Sequence, residues 1–387
     1  MGQDTKEHGR DDGKEAIVTP WEVRGNIDYD KVIKEFGVSR IDEHLLKRIE
    51  KIAGELHPFL RRNIFFAHRD LKFILDEYDK GNKFFLYTGR SPSGHTHIGH
   101  IIPWMFTKWL QDKFGVELWF QFPDDEKFLF KKDLTLDDTE KYTNENMLDV
   151  IALGFNPEKT HFIIDTRHAG IMYKEALKVS KMITFSTVKS AFGFTNEQNI
   201  GAIFYTSMQA VPAFLPSIIY KKKIPCLIPH AIDQDPHFRI SRDVIPKLGF
   251  YKPASIQCRF LPGLGGMDDD GKMSSSSGNN ATIYTIDDAK TVKNKINKYA
   301  FSGGRTSVEE HRKHGGNPDV DVAYQWLTFF EEDDEKLKKI YDDYKSGKLL
   351  SGELKAILIE KLNKFLAHHQ QEREKARHKI DKYIWKL

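Results

Sequence analysis

Apolar residues recur along the chain with two different periods. Between residues 29 and 53 they return every three to four positions, which predicts helices, and a second helical pattern covers 71–78. Beyond about residue 286 only helical patterns remain, including an amphipathic face over 354–366. Between these regions, short apolar runs predict buried strands at residues 83–88, 118–122, 161–165 and 225–228.

Strands that alternate with helices predict parallel βαβ units, whose ligands bind at the carboxyl ends of the strands. We therefore predict an α/β fold with a Rossmann-like parallel-sheet catalytic domain over residues 81–285. A helical insertion at about 126–215 interrupts this domain. Residues 1–80 are expected to form an N-terminal extension with an extended segment and helices, and residues 286–387 a C-terminal all-helical domain.

The composition is that of a globular protein, with 40% apolar and 30% charged residues among 387. The 59 basic and 56 acidic residues leave a formal charge of only +3, so any nucleic-acid surface must come from local segregation of charge. Such segregation exists: residues 331–335 are all acidic, whereas residues 336–387 contain 14 Lys and Arg against 7 Asp and Glu. That basic surplus suits phosphate contacts, and it suits solubility of exposed helices equally well.

Several classes of protein are disfavoured. No apolar stretch approaches the roughly 18 residues of a membrane helix, and five acids among the first 15 residues do not fit an organellar transit peptide. We expect a cytoplasmic protein without membrane contact. Two cysteines cannot form a disulfide framework, and Cys226, His230, His237 and Cys258 match no zinc-finger spacing, so no metal site is expected.

The sharpest chemical signal is the tetrapeptide His-Ile-Gly-His at residues 97–100, between a Gly-, Pro- and Ser-rich turn and a predicted helix. A strand-to-helix turn directs backbone N–H groups and the positive end of the helix at an anion. Gly99 permits close approach of a nucleotide, and His97 and His100 can donate hydrogen bonds to phosphate oxygens. Taken alone, the pattern also fits two surface histidines at a helix start.

A second segment, Gly-Lys-Met-Ser-Ser-Ser-Ser at residues 271–277, follows a run rich in Gly and Asp. Such a composition is typical of a loop. Lys272 could bring a positive charge to a triphosphate, with the hydroxyl groups as further donors. The alternative is a surface linker that contains an incidental lysine.

Together the two segments resemble the HIGH and KMSKS motifs of class I aminoacyl-tRNA synthetases. The chain more specifically resembles the eukaryotic and archaeal tryptophanyl-tRNA synthetases, from about residue 20 to the last helix. Ser275 departs from the pattern, because it stands where the motif has a second lysine. The segments that carry the likeness are Tyr-Thr-Gly-Arg at 87–90, Asp-Asp-Glu-Lys at 124–127, Ala-Ile-Asp-Gln-Asp-Pro at 231–236 and Ala-Phe-Ser-Gly-Gly-Arg at 300–305.

The resemblance implies activation of tryptophan with ATP and Mg²⁺ to tryptophanyl-adenylate and pyrophosphate, followed by transfer of tryptophan to tRNA(Trp). It implies catalytic roles for His97, Gly99, His100 and Lys272. The implied ATP-binding residues are Arg90, His97, Gly99, His100, Lys272, Met273 and Ser274. Mg²⁺ would bridge phosphates without dedicated protein ligands.

For tryptophan, the resemblance implies that Tyr87 and Gln121 meet the indole nitrogen. Glu126, Gln209 and Gln234 would hold the ammonium and carboxylate region. It further implies a homodimer with its interface in the helices of 126–215, and a C-terminal domain that reads the anticodon. Candidate tRNA contacts are Asn317, Asp319 and Asp321.

Three alternatives remain at this point. A tyrosine-specific class I synthetase would bind a phenol through a different polar pair. A simpler nucleotidyltransferase with a HIGH motif needs neither the second loop nor a C-terminal helical domain. A non-catalytic RNA-binding relative is disfavoured because His97, Gly99, His100 and Lys272 are all present.

Overall fold

The computed structural model describes residues 28–266 and 281–386, together with the backbone of residues 17–18 and 23–24. Its main feature is a seven-stranded sheet covered by helices, and a separate two-stranded ribbon precedes it. The strands are β1 (Ile17–Val18), β2 (Val23–Arg24), β3 (Ser39–Arg40), β4 (Phe65–Arg69), β5 (Phe85–Gly89), β6 (Glu117–Phe122), β7 (Thr160–Ile164), β8 (Cys226–Ala231) and β9 (Ala254–Cys258).

The helices of the described residues connect these strands and then form the whole C-terminal part. In chain order they are α1 (Tyr29–Phe36), α2 (Glu43–Ala53), α3 (Pro58–Arg61), α4 (Leu71–Asp79), α5 (Ile98–Phe114), α6 (Asp124–Phe130), α7 (Leu136–Ala152), α8 (Ala169–Ser180), α9 (Phe185–Phe192), α10 (Ile200–Met208), α11 (Leu215–Ile219), α12 (Asp235–Val244), α13 (Ala289–Tyr299), α14 (Val308–His314), α15 (Val322–Phe330), α16 (Asp334–Lys345) and α17 (Ser351–Ala376). Short 3₁₀ helices cover Pro157–Lys159, Val211–Ala213, Ile232–Gln234, Ile245–Leu248 and Ile380–Lys382.

The main sheet has the strand order β3-β4-β9-β8-β5-β6-β7. Strands β9, β8, β5, β6 and β7 are parallel, as predicted from the alternation of strands and helices. The edge formed by β3 and β4 is antiparallel. The predicted α/β class with a Rossmann-like sheet is therefore confirmed, and the antiparallel edge is an addition that the sequence patterns did not indicate.

Alternate residues of the central strands face two cores, as the period of a pleated strand requires. Leu86, Leu118 and Phe120 join the larger core with α5. Tyr87 and Trp119 join a second core on the opposite face, against α8 and α10. The larger core continues without a break into buried leucines of α17, so the C-terminal helices pack directly on the sheet domain.

Two predicted segments differ from the structure in their details. The helical pattern over 29–53 is interrupted by the short strand β3. The predicted strand at 161–165 is confirmed as β7, but it pairs with β6 inside the main sheet, so the stretch at 126–215 expected as a helical insertion includes a strand of that sheet. Because β3 and β4 also belong to that sheet, residues before 80 contribute to the same layer. The domain boundaries at 80 and 285 remain predictions. No helix in the described part of the chain is long and apolar enough to cross a membrane.

Candidate active site

The turn from β5 into α5 carries the two histidines of the tetrapeptide. His97 immediately precedes α5, and its backbone N–H donates to His100 Nδ1 over 3.2 Å. The two imidazole rings stack with centroids 3.5 Å apart. Gly99 lies in the first turn of α5. The start of this 17-residue helix places the positive end of its dipole beside the two histidines, while Ile98 N donates to Ile283 O and His100 N donates to His97 O.

Arg90 adds a fixed positive charge beside this turn. Its Nη1 lies 2.7 Å from His100 Nε2, and its Nε donates to Asn146 Oδ1 over 2.8 Å. Nη2 donates to the carbonyl oxygens of Gly94 and His95. Burial lowers the pKa of Arg90 to about 10, so the side chain remains charged at neutral pH. The arrangement can attract and orient an anion such as a phosphate.

The segment that follows residue 280 runs antiparallel beside the histidines. Ile98 N donates to Ile283 O over 3.0 Å, and Thr285 N donates to Thr96 O over 2.9 Å. Residues 283–285 therefore lie directly next to His97. Lys272, Met273 and Ser274 themselves lie outside the described residues, and their roles stay predictions.

Tyr87 lies in the middle of β5, and Gln121 lies near the carboxyl end of the neighbouring strand β6. The Tyr87 hydroxyl donates to Gln121 Oε1 over 2.5 Å and lies 3.3 Å from Gln209 O. Gln121 Nε2 donates to both carboxyl oxygens of Asp165, at 3.0 and 2.8 Å. All three side chains are buried. The structure therefore brings the predicted pair together and adds Asp165, which the sequence analysis did not single out.

Glu126 lies beside Tyr205, and Gln209 lies beside Tyr87. Tyr205 donates to Glu126 Oε2 over 3.3 Å, and Lys127 Nζ lies 2.9 Å from Glu126 Oε1. Burial alone would raise the pKa of Glu126, but Lys127 and the nearby His237 outweigh it, so the pKa lies below its usual value. The anionic Glu126 can hold an ammonium group. Gln209 Oε1 is buried without a hydrogen-bond partner among the described residues.

Gln234 is the last residue of the 3₁₀ helix that follows β8. The next residue, Asp235, fixes this part of the chain through hydrogen bonds to two arginines. Asp235 is fully buried and accepts hydrogen bonds from Arg69 Nε and Nη2 at 2.9 and 3.0 Å. Arg239 Nε donates to the same carboxylate over 2.7 Å. The Arg69–Asp235 pair is a second feature missed from the sequence, because the two residues are 166 positions apart.

The three candidate tRNA residues lie between α14 and α15. Asn317 and Asp319 are exposed. Asp321 is only 1% exposed, and its carboxylate accepts from Ala323 N, Gly303 N and the Tyr344 hydroxyl. These contacts favour a structural role for Asp321 as the N-cap of α15 over a direct contact with RNA.

The donor set at the histidine turn is imidazole and guanidinium, whereas Mg²⁺ prefers oxygen ligands. In residues 28–266 and 281–386 there is no group of three His, Cys, Asp or Glu side chains that could hold a metal ion. Cys226 and Cys258 are free and buried in the sheet.

Comparison with known proteins agrees with this geometry. The model of the family "tRNA synthetases class I (W and Y)" matches residues 79–367. The tryptophan–tRNA ligase of Saccharolobus solfataricus is 52% identical over 376 residues, covering 96% of this chain and 97% of its own. The human cytoplasmic tryptophan–tRNA ligase is 49% identical over 393 residues, covering 98% and 83%.

Solved structures give the same result. The tryptophanyl-tRNA synthetase of Plasmodium falciparum superposes with a TM-score of 0.87 at 44% identity, covering 93% of this chain and 98% of its own. The enzyme from Encephalitozoon cuniculi bound to tryptophan superposes with a TM-score of 0.85 at 37% identity, covering 93% and 98%. The chain therefore belongs to the class I aminoacyl-tRNA synthetases of the tryptophan and tyrosine group and, within it, to the family of tryptophan–tRNA ligases.

Proposed function

We propose that this chain activates tryptophan with ATP and transfers it to tRNA(Trp). The observation that carries the proposal is the adjacency of two groups at the carboxyl ends of β5 and β6. Arg90, His97 and His100 form the phosphate end of the site. Tyr87 and Gln121, with Asp165 behind them, form its indole end. An amino acid and a nucleotide bound at these ends would meet at the same edge of the sheet.

In the first step, a carboxylate oxygen of tryptophan attacks the α-phosphorus of ATP. The bond from that phosphorus to the bridging oxygen breaks, and pyrophosphate leaves with the electron pair. In the second step, the 2′-hydroxyl of the terminal adenosine attacks the activated carbonyl and AMP leaves. No protein nucleophile is required, because positioning and charge stabilisation carry phosphoryl transfer.

At the phosphate end we assign His97, His100 and Arg90 to the phosphates, and Gly99 to close packing of the adenosine. Lys272, with Met273 and Ser274, would approach the departing pyrophosphate. Removing a donor of this kind typically lowers a rate by about 10²–10³. Mg²⁺ enters as part of the nucleotide substrate, and we assign it no protein ligand.

At the indole end the ligand ring would be a flat apolar surface with one N–H donor. Tyr87 and Gln121 would accept that N–H, and Glu126, Gln209 and Gln234 would hold the ammonium and carboxylate region. The anionic state of Glu126 supports the ammonium role. The unpartnered Gln209 Oε1 supports a place for it among the ligand contacts.

For tRNA we propose the C-terminal helices, on the basis of their surplus of basic residues. Asn317 and Asp319 are exposed and remain candidates for anticodon contacts. Asn317 Oδ1 accepts from Asp319 N over 3.1 Å, which holds the two residues in one turn. Asp321 would support this turn from within.

A homodimer is proposed from the apolar surface of the helices between 126 and 215. Ile200, at the start of α10, is 83% exposed, and Tyr173 and Leu177 on α8 are about half exposed. Helix α10 packs on both α6 and α8, and Phe128 on α6 is also exposed. Exposed apolar clusters of this kind mark protein interfaces.

Sedimentation should give twice the chain mass, and Ile200→Asp should give monomers; a wild-type monomer would contradict the assignment.

We also propose a cytoplasmic location, because the human and yeast relatives are named as cytoplasmic enzymes. A fluorescent fusion in the source cell tests it, and concentration of the fusion in an organelle would contradict it.

The proposed activity is tested by ATP–pyrophosphate exchange with each amino acid in turn. We expect exchange with tryptophan alone. Exchange with tyrosine would favour the tyrosine-specific alternative, and exchange with no amino acid would favour the non-catalytic one.

A further inference from the structure

The amide of Gln121 can be oriented in two ways, and each presents a different group to the indole end. With its oxygen toward Tyr87, the amide accepts the tyrosine proton, so that Gln121 Oε1 and Tyr87 Oη offer only lone pairs to a ligand. With its nitrogen toward Tyr87, the same amide would offer donors. The identity of the ligand atom that fits here depends on which orientation is held.

Asp165 holds the first orientation. Both of its carboxyl oxygens accept from Gln121 Nε2, at 3.0 and 2.8 Å, and both side chains are almost completely buried. In the reversed orientation the amide oxygen would face two carboxyl oxygens with no donor between them. A buried acceptor that faces other acceptors without a donor is strongly disfavoured.

Asp165 is itself held on two sides. Its backbone N–H donates to Phe122 O over 3.3 Å, next to the end of β6. The following residue, Thr166, donates through its backbone N and its hydroxyl to Asp124 at the start of α6, at 3.0 and 2.5 Å. The carboxyl group thus sits between the ends of two strands and a helix, and it has little freedom to turn away from Gln121.

Asp125 is the titratable neighbour of Asp165 on α6. Burial and the proximity of Asp125 raise the pKa of Asp165 well above its usual value, and burial, Asp124 and Glu126 raise that of Asp125 to about 7. A proton shared between the two carboxyls still leaves oxygen lone pairs on Asp165 for Gln121 Nε2. While that proton lies between the two carboxyls, it is not directed at Gln121, and the observed amide orientation is retained.

We propose that Asp165 is a positioning residue that fixes Tyr87 and Gln121 as a pair of acceptors and so makes the amino-acid site selective for an aromatic ring with an N–H donor. The inference rests on the proposed function and deepens it. A ring of the same shape without the N–H would leave a buried acceptor unpaired, and it would be rejected for that reason.

The test compares tryptophan with 3-benzothienylalanine, which replaces the indole N–H by sulfur at nearly the same shape. ATP–pyrophosphate exchange gives kcat/KM for both in the wild type, in Asp165→Ala and in Asp165→Asn. We expect Asp165→Ala to lower the preference for tryptophan by about tenfold while KM for ATP stays unchanged. Asp165→Asn keeps an oxygen acceptor for Gln121 Nε2, so it should retain a preference close to that of the wild type.

A purely structural role would lower kcat/KM for both amino acids equally and leave their ratio unchanged in Asp165→Ala, which would overturn the inference. It would also be overturned if Asp165→Asn lost the preference as fully as Asp165→Ala. Should Asp165→Ala fail to fold, Asp165→Ser replaces it with the same expectation, since its side chain is too short to reach Gln121. Asp133→Ala, at an exposed carboxylate before α7, is the matched control.

The two proposals fail in different ways. If the wild type exchanges pyrophosphate with no amino acid, or with tyrosine, the proposed function is wrong whatever the variants do. If the wild type exchanges with tryptophan but its ratio to the benzothienyl analogue is unaffected by Asp165→Ala, only the role of Asp165 is wrong.

Discussion

The indole end of the proposed site consists of a few buried hydrogen bonds between side chains, whereas its phosphate end carries positive charge. Tyr87, Gln121 and Asp165 are connected to one another before any ligand enters. His100 lies instead in the first turn of α5, and Arg90, which follows β5, contacts its ring. A neutral ring is recognised by the cost of an unpaired acceptor, and a phosphate by stabilisation of its developing charge. Substitutions should therefore alter amino-acid preference at one end and reaction rate at the other.

The largest effect is expected at the phosphate end. Lys272→Ala should slow adenylate formation by about 10²–10³, because a charge that stabilises the departing pyrophosphate is lost. The dissociation constant of tryptophan should change little. Single-turnover kinetics and equilibrium binding of tryptophan measure the two quantities, with Lys293→Ala, an exposed lysine on α13, as the control. Equal losses of rate and of tryptophan binding would refute the pyrophosphate role of Lys272. They would also show that the phosphate end and the indole end do not act separately.

The second effect concerns the stability of the indole end. The pKa of Asp125 is about 7 in the folded chain, against an ordinary value of 3.8, through burial and the neighbouring carboxylates. Between these values the folded state binds more protons than the unfolded state, so the free energy of unfolding should fall as pH rises. The expected slope from this group approaches about 1.4 kcal/mol per pH unit.

Urea unfolding at pH 5, 6 and 7 measures that slope. Asp125→Asn cannot ionise, so the variant should gain stability relative to the wild type with every step in pH. If the free energies of unfolding of wild type and variant change in parallel with pH, the pKa of Asp125 is not raised in the folded chain, and the prediction is wrong.

The smallest effect is expected from a single hydroxyl at the indole end. Tyr87→Phe removes the donor to Gln121 Oε1 and one acceptor for the ligand, so kcat/KM for tryptophan should fall by about tenfold. KM for ATP should not change, since the hydrogen bonds of the Tyr87 hydroxyl are to Gln121 and Gln209. Exchange kinetics with each substrate varied in turn provide the measurement, and Tyr251→Phe, at an exposed tyrosine before β9, is the matched control. A rise in KM for ATP in Tyr87→Phe would show that the two ends are not separable.

Some strands of the main sheet can be predicted from the local sequence, and others cannot. The strands β5, β6, β7 and β8 were predicted because each is an apolar run between turn or helical patterns. Strand β9, with Ser255 and Gln257 among apolar residues, was missed because its polar residues are buried by tertiary packing. Strand β4 was missed because its short apolar run lies among helices, and only pairing with β9 makes it a strand.

Asp165 was missed for a related reason, although it directly follows a predicted strand. Its role depends on β7 lying beside β6, where Gln121 and Ile163 are register partners and Asp165 follows two residues later on the same face. A polar residue at the carboxyl end of each of two strands was the available signal, but strand order is not a local property of the sequence.

The sequence by itself determined several of the strands and helices and most of the residues proposed to carry the chemistry. Apolar periodicity specifies these elements locally, and the residues at 87–90, 97–100 and 231–236 carry the resemblance to the family. Only the tertiary structure decided which strands are neighbours, that Arg90 contacts His100, and that Asp165 orients Gln121. The physical reason is that hydrogen bonds between residues distant in the chain depend on strand order and packing, which local propensities do not encode.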